Sequence, residues 1–356
     1  MRNIVFEQTE DGNQFTFKDV DGNENCFNYL APIDGLWHDS VLEDFDVQLL
    51  IHPYLNRESN VFALRSNLKT KEETVGYIFP VSVLDSDSFA PKRPSDQNYL
   101  FISYRVLLER LPRTNGNQSL GACFEDNLCV CVLNLRTIGR NRGVWSCIHS
   151  LRKYGYSYFI ENNGYKEIDG YTYEDYKGLL TGKSMHVDFG TPLLYSNSII
   201  DGILRLLPNA DNLVYRFILL YQIVEFIISE KVSSSVREAI DLYYSSISPS
   251  ENDFIETING IRKERGVIKD ILDSSQINAS LSCNKCFNDC CQHLFSLAGI
   301  VPQDKDMGQL FYSFRNQMVH SYRKLSVYKE ELADTIFYFE QMVLAIVEKY
   351  PYTISD

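Results

Sequence analysis

The chain has 356 residues, more than one small hydrophobic core organises, so two folded units are expected. Hydrophobic residues at 44% and charged residues at 23% give the balance of a packed globular protein and exclude a disordered one. Lys plus Arg is 34 and Asp plus Glu is 47, and the resulting net charge of −13 argues against indiscriminate coating of nucleic acid, because polyphosphate is repelled at long range. The most apolar stretch, residues 215–229, is interrupted by Arg216, Gln222 and Glu225 and is shorter than the ~20 residues a bilayer requires. The first residues carry no apolar h-region, and nine cysteines without a small-scaffold spacing suit a reducing compartment. A cytoplasmic protein without a membrane partner is therefore expected.

The charge is uneven along the chain. Residues 1–50 alone carry −9, whereas residues 127–160 contain no acid but hold Arg136, Arg140, Arg142, Arg152 and Lys153. Residues 307–329 again lack acids and hold Arg315, Arg323, Lys324 and Lys329. Two basic islands stand in an acidic background.

In chain order, the first ~190 residues read as strand-rich with helical insertions. Residues 15–20, the turn pair Asp21-Gly22 and residues 26–30 predict a hairpin. Further strands are expected at residues 47–52, 61–65, 75–84 and 128–135. No fixed-period repeat is present, which excludes solenoids and propellers. After about residue 195 the texture turns helical. Residues 213–228 are apolar almost all round, as in a helix central to a bundle. A helix over residues 278–297 should stop at Gly299 and Pro302. Asp306 can cap another that runs to about Lys324. The last, over residues 328–350, places Leu332, Ile336, Phe339, Val343, Ile346 and Tyr350 on one stripe. The expectation is an α+β chain: a mixed, strand-rich regulatory or sensing domain over residues 1–194, then an all-α antiparallel helical bundle over residues 195–356.

Three tempting sites weaken under their own geometry. Gly178 to Ser184 has three residues between its glycines where a P-loop needs four, so a helix ending at glycine is preferred. Cys283, Cys286, Cys290, Cys291 and His293 lie on one predicted helix. Its rise puts Cys283 and His293 about 15 Å apart, too far to share one zinc. Cys283, Cys286 and Cys290 instead share a face with Leu294 and Leu297, the pattern of cysteine in a core, and no metal is expected. Residues 154–176 hold seven tyrosines and Phe159, which allows base stacking beside the first basic island. An aromatic sheet face is the preferred alternative.

The informative segment is Leu310-Phe-Tyr-Ser-Phe-Arg315-Asn316-Gln-Met-Val-His320-Ser-Tyr322-Arg323-Lys324. On a helix, Leu310, Phe314, Met318, Ser321 and Leu325 form one core-facing stripe. Asn316 and His320 are four apart and stand one above the other on a different face, and Tyr312, Arg315 and Arg323 also point away from the core. Histidine moves a proton near neutrality, arginine binds a phosphoryl group through paired hydrogen bonds, and an amide one turn before the histidine can orient it. RNA supplies its own nucleophile, the 2′-hydroxyl, so such a trio needs no metal or other cofactor.

These residues resemble a known family. Arg315-Asn316-x-x-x-His320 is similar to the R-polar-x-x-x-H signature of the HEPN superfamily, many of whose members are ribonucleases. The placement on the penultimate helix of an all-α unit is a second agreement. Arg216, Tyr221 and Glu225 on the first long helix resemble the ApeA-like branch of phage-defence proteins. The resemblance spans roughly residues 196–350. It implies that His320 is the general acid/base, that Arg315 binds the scissile phosphate and that Asn316 orients the site. It further implies a homodimer with a composite active site, RNA as substrate, and control by an antitoxin or a phage-derived trigger; Arg323 and Lys324, on the acid-free segment, are expected as further RNA contacts. His320-Ser321-Tyr322 is similar to the H-x-Y ending of HEPN toxins whose tyrosine accepts AMP groups, which leaves modification or a phosphate contact open for Tyr322.

The expected function is a metal-independent, regulated HEPN endoribonuclease of toxin or antiviral type. One alternative is a non-catalytic HEPN module that binds nucleotide, RNA or protein. Another places the activity in the N-terminal half.

Overall fold

The computed structural model describes residues 5–8, 14–18, 24–28, 43–52, 61–68, 71–85, 102–103, 107, 127–139, 142–158, 171, 173–177, 179–180, 184–188, 198–245, 250–261, 264–274, 282–301 and 307–350. The chain is mixed α+β and divides into two compact units, residues 1–165 with 176–189, and residues 166–175 with 190–356.

In the first unit, β1 (Val5–Gln8), β2 (Gln14–Lys18) and β3 (Glu24–Asn28) form an antiparallel three-stranded sheet. Lys18 pairs with Glu24 at the end of the antiparallel β2–β3 register, as the expected hairpin requires, and the turn pair Asp21-Gly22 lies outside the described residues. A six-stranded sheet is built from β4 (Phe45–Ile51), β5 (Phe62–Leu68), β6 (Lys71–Pro80), β7 (Leu128–Asn134), β8 (Ser157–Tyr158) and β9 (Ser184–His186). Its order is β8-β4-β7-β6-β5-β9, antiparallel except for the parallel β5–β9 pair. Leu-Cys-Val-Cys-Val-Leu in β7 is buried without alternation, as a central strand covered on both faces must be. Gly76 lets β6 approach β7 closely, since a Cβ there would collide with the Val132 carbonyl. The expected strand over 75–84 ends at Pro80, and a 3-10 turn, Val81–Asp85, replaces its last residues. Two helices follow β7: α1 (Leu135–Ile138), capped by Asn134 Oδ1 on the Arg136 amide, and α2 (Arg142–Arg152). The division between the two units then falls within the short helix α3 (Tyr173–Lys177).

The second unit is mostly helical, with α4 (Ser198–Leu206), α5 (Leu213–Ser245), α6 (Glu251–Ile261), α7 (Glu264–Ser274), α8 (Ser282–Leu297), α9 (Met307–His320), α10 (Tyr322–Leu325) and α11 (Lys329–Lys349). Asn212 Oδ1 accepts from the Val214 and Tyr215 amides and starts α5. That helix is 33 residues long, and beyond Ile227 only Ala239 of it is buried. Gly299, at φ 67°, ends α8 while the Ile300 amide reaches back to the Phe295 carbonyl. Phe217, Phe287, Phe311, Phe314 and Phe339, drawn from α5, α8, α9 and α11, meet with ring centroids 4.8–6.1 Å apart. All five are fully buried, and Phe339 touches the other four. Every member of the expected α11 stripe, from Leu332 to Tyr350, is buried.

Two expectations need correction. The cysteine stripe of α8 is rotated: Phe287, Cys291, Leu294 and Phe295 are buried, Cys286 and Cys290 are half-buried and Leu297 is 38% exposed. The two phenylalanines carry far more apolar area than the cysteines and decide which face turns inward. The Cys283 side chain lies outside the described residues. The helix expected to run to Lys324 stops at His320, because Ser321 leaves the helical region at φ −138°, ψ 24°. Asp306, its expected cap, also lies outside the described residues. No helix among the described residues is long and apolar enough to cross a membrane.

Candidate functional site

The site begins with a ladder on α5. Phe217, Tyr221 and Glu225 recur every four residues and so stand one above the other. Phe217 and Tyr221 are buried, with rings stacked at 5.8 Å and 19°, while Glu225 is exposed. Opposite, on α9, Phe314 meets Phe217 edge-on at 5.5 Å. Its neighbour Arg315 is thereby delivered to the rim of the core, where its guanidinium lies 5.4 Å from the Tyr221 ring centroid. Arg315 Nη1 donates to Asn316 Oδ1 at 3.0 Å, and Nη2 lies 4.0 Å from Glu225 Oε1. The Arg315 Nε–H is buried and has no partner. A guanidinium that makes one hydrogen bond with five N–H donors keeps capacity for an anion.

His320 is the last residue of α9, exposed, one turn beyond Asn316 on the same side of the helix. The Asn316 amide oxygen accepts from Arg315, which ties this amide to the arginine. The Ser321 amide still bonds to the Gln317 carbonyl, and the Lys324 amide then turns back to the Ser321 carbonyl to open α10. Tyr322, half-buried, and Arg323 and Lys324, both exposed, therefore belong to a separate short helix that Leu325 anchors in the core. Gln309 Nε2 bonds to Ser313 Oγ at 3.3 Å one and two turns above Asn316, which continues the polar face of α9.

The convergence of Tyr221 and Glu225 on Arg315 went unread in the sequence, where both entered only through a resemblance. Their four-residue spacing after Phe217 is the signal that finds them. Arg216, quoted alongside them, takes no part. It is buried and paired to Glu340 of α11, with Nη1 also donating to the Leu207 carbonyl at 2.8 Å.

The other candidates resolve structurally. Helix α3 precedes Gly178 and strand β9 follows Lys183, the reverse of the strand–loop–helix order a P-loop requires. Among the described residues no group of three His, Cys, Asp or Glu side chains is placed to hold a metal. Burial, followed by the nearby Asp334 carboxylate, pushes the Cys290 thiol up to about 11, and burial pushes Cys291 up as well, away from the thiolate a metal takes. Of the clustered tyrosines, Tyr156, Tyr171 and Tyr176 are buried, and Tyr156 and Tyr176 pack edge-on against His52 at 4.8 and 5.4 Å. Phe159, Tyr165 and the side chains of Tyr158 and Tyr173 lie outside the described residues. In the first basic island Arg136 pairs with Asp44, Lys153 lies 3.6 Å from Asp188, and Arg152 is buried. That island is acid-free in sequence only, because folding brings acids to it.

Comparison of the chain with protein-family models, with curated proteins and with solved structures found no match.

Proposed function

We propose that the chain is a metal-independent endoribonuclease whose helical unit is a bundle of HEPN type and whose first unit controls it. The observation that carries this reading is the pairing of an under-satisfied, positioned Arg315 with an exposed His320 on one acid-free segment. Arg315 receives the scissile phosphate. His320 takes the proton from the 2′-hydroxyl, O2′ bonds to phosphorus, and the bond from phosphorus to O5′ breaks as a proton reaches O5′. The products are a 2′,3′-cyclic phosphate and a 5′-hydroxyl. Base and acid are then two histidines, which a homodimer supplies as one His320 from each copy. Arg323 and Lys324 extend the phosphate contact along the strand.

The test compares the full chain with His320→Ala and Arg315→Ala in EDTA, using end-labelled RNA and circular dichroism to check folding. Loss of cleavage by at least 100-fold in both folded variants is expected. Undiminished cleavage by either removes the assignment. Time-independent binding without cleavage at any concentration favours the non-catalytic module instead.

A further inference from the structure

Three groups surround the Arg315 guanidinium, and they do different things. The buried Tyr221 ring at 5.4 Å fixes its plane from one face. The Asn316 amide oxygen holds Nη1 at hydrogen-bond distance. Glu225 stands at 4.0 Å from Nη2, too far for a hydrogen bond, with 54% of its side chain exposed. A carboxylate in that position offsets the positive charge without satisfying the N–H groups. An arriving phosphate needs those same donors and is repelled by the same carboxylate.

We infer that Glu225 is a built-in anionic competitor for the Arg315 site, which makes that site answer to a phosphodiester held by several contacts rather than to any passing anion. The inference rests on the reading of Arg315 as a phosphate binder. Because the tyrosine and the amide hold the guanidinium in place, an incoming phosphate displaces the exposed partner that makes no hydrogen bond to it, and that partner is Glu225. A half-exposed pair at this separation is weak, so displacement costs only a small factor in affinity. The restraint is local and independent of the net charge of the chain.

The experiment uses the full chain and a fluorescein-labelled 2′-O-methyl RNA oligonucleotide, which binds but offers no 2′-hydroxyl to attack. Fluorescence anisotropy gives Kd for the wild type, Glu225→Gln, Glu225→Ala, Arg315→Ala and the Glu225→Gln/Arg315→Ala pair. Both Glu225 variants are expected to tighten binding roughly two- to fivefold, and the gain should vanish when Arg315 is also replaced. Unchanged or weaker binding in folded Glu225→Gln overturns the inference, and so does a gain that persists without Arg315, which marks a general charge effect. If Arg315→Ala alone leaves the affinity of the wild type intact, the phosphate-binding reading fails first and the inference falls with it. If Arg315→Ala weakens binding but Glu225→Gln is neutral, only the competitor role is lost.

Discussion

The Arg216 guanidinium grips both carboxylate oxygens of Glu340, Nε to Oε2 and Nη2 to Oε1, each at 2.6 Å, across 124 residues of chain. Both side chains are about 95% buried. Tyr171 adds a hydroxyl to Glu340 Oε2 at 3.2 Å and its ring lies 5.4 Å from the Arg216 guanidinium carbon. The pair ties α5 to α11 with satisfied polar atoms on both sides.

Removing one partner strands a charge. Glu340→Ala is expected to destabilise the protein by about 3–5 kcal/mol, whereas the pair Arg216→Met/Glu340→Met should recover most of that loss. Urea unfolding of the full chain reads both. A single variant within about 1 kcal/mol of wild type contradicts the pairing.

Phe339 is the ring that the other four phenylalanines share, so its truncation opens a cavity bordered by four helices. Phe339→Ala should cost about 3–5 kcal/mol, and Phe339→Leu clearly less. The same unfolding measurement ranks them, and equal costs would place the rings elsewhere.

His52 supplies a pH signature for the first unit. Burial, against a hydrogen bond with the Tyr154 carbonyl, lowers its pKa from 6.5 to about 4. The unfolded chain therefore binds this proton first, and stability that is complete above pH 6.5 declines as pH falls towards 4. A displacement of that size corresponds to about 3 kcal/mol. His52→Gln keeps a donor without the titration, so the stability difference between wild type and variant should shift in favour of the variant as pH drops from 7 to 4. A difference independent of pH removes His52 as the cause.

The buried thiols give a fourth handle. Cys129, Cys131, Cys147 and Cys291 are free and buried, and burial raises Cys129, Cys131 and Cys291 far from the reactive thiolate. Mass spectrometry after brief alkylation should find these four unmodified in the native protein and modified in urea. Cys286 and Cys290 are half-buried and should react sooner than the four. Rapid native labelling of Cys291 would turn α8 about its axis.

Much of this architecture was legible because periodicity reports burial directly. The β2–β3 hairpin follows from turn chemistry, β7 from an unbroken apolar run, and the α11 stripe from its spacing. Long-range polar pairing was not legible. Nothing local to Glu340, between Phe339 and Gln341, announces an arginine 124 residues earlier. The ion pairs of the first basic island were hidden for the same reason, since Asp44 and Asp188 arrive from distant segments. At the candidate site the motif face of α9 was readable from the helical period, while the committed acceptor of Asn316 and the break at Ser321 depend on side-chain and backbone torsions that spacing does not encode.

For the proposed RNA contact, salt dependence separates direct from indirect charge. Each phosphate contact removed should flatten the slope of log affinity against log salt by about 0.7 for a single strand. Arg323→Ala, an exposed position on α10, should show that change with little effect on stability. An unaltered slope places the RNA away from α10.

The break at Ser321 has an engineering consequence. Because α9 ends at His320 and α10 restarts under its own anchor, Leu325, the two segments meet at a joint rather than sharing one rotation. Charge and reach on α10 are adjustable by substitution while the register of Arg315, Asn316 and His320 stays with the phenylalanine core. Adjacent residues are thus held separately, those of α9 by the phenylalanine core and those of α10 by Leu325.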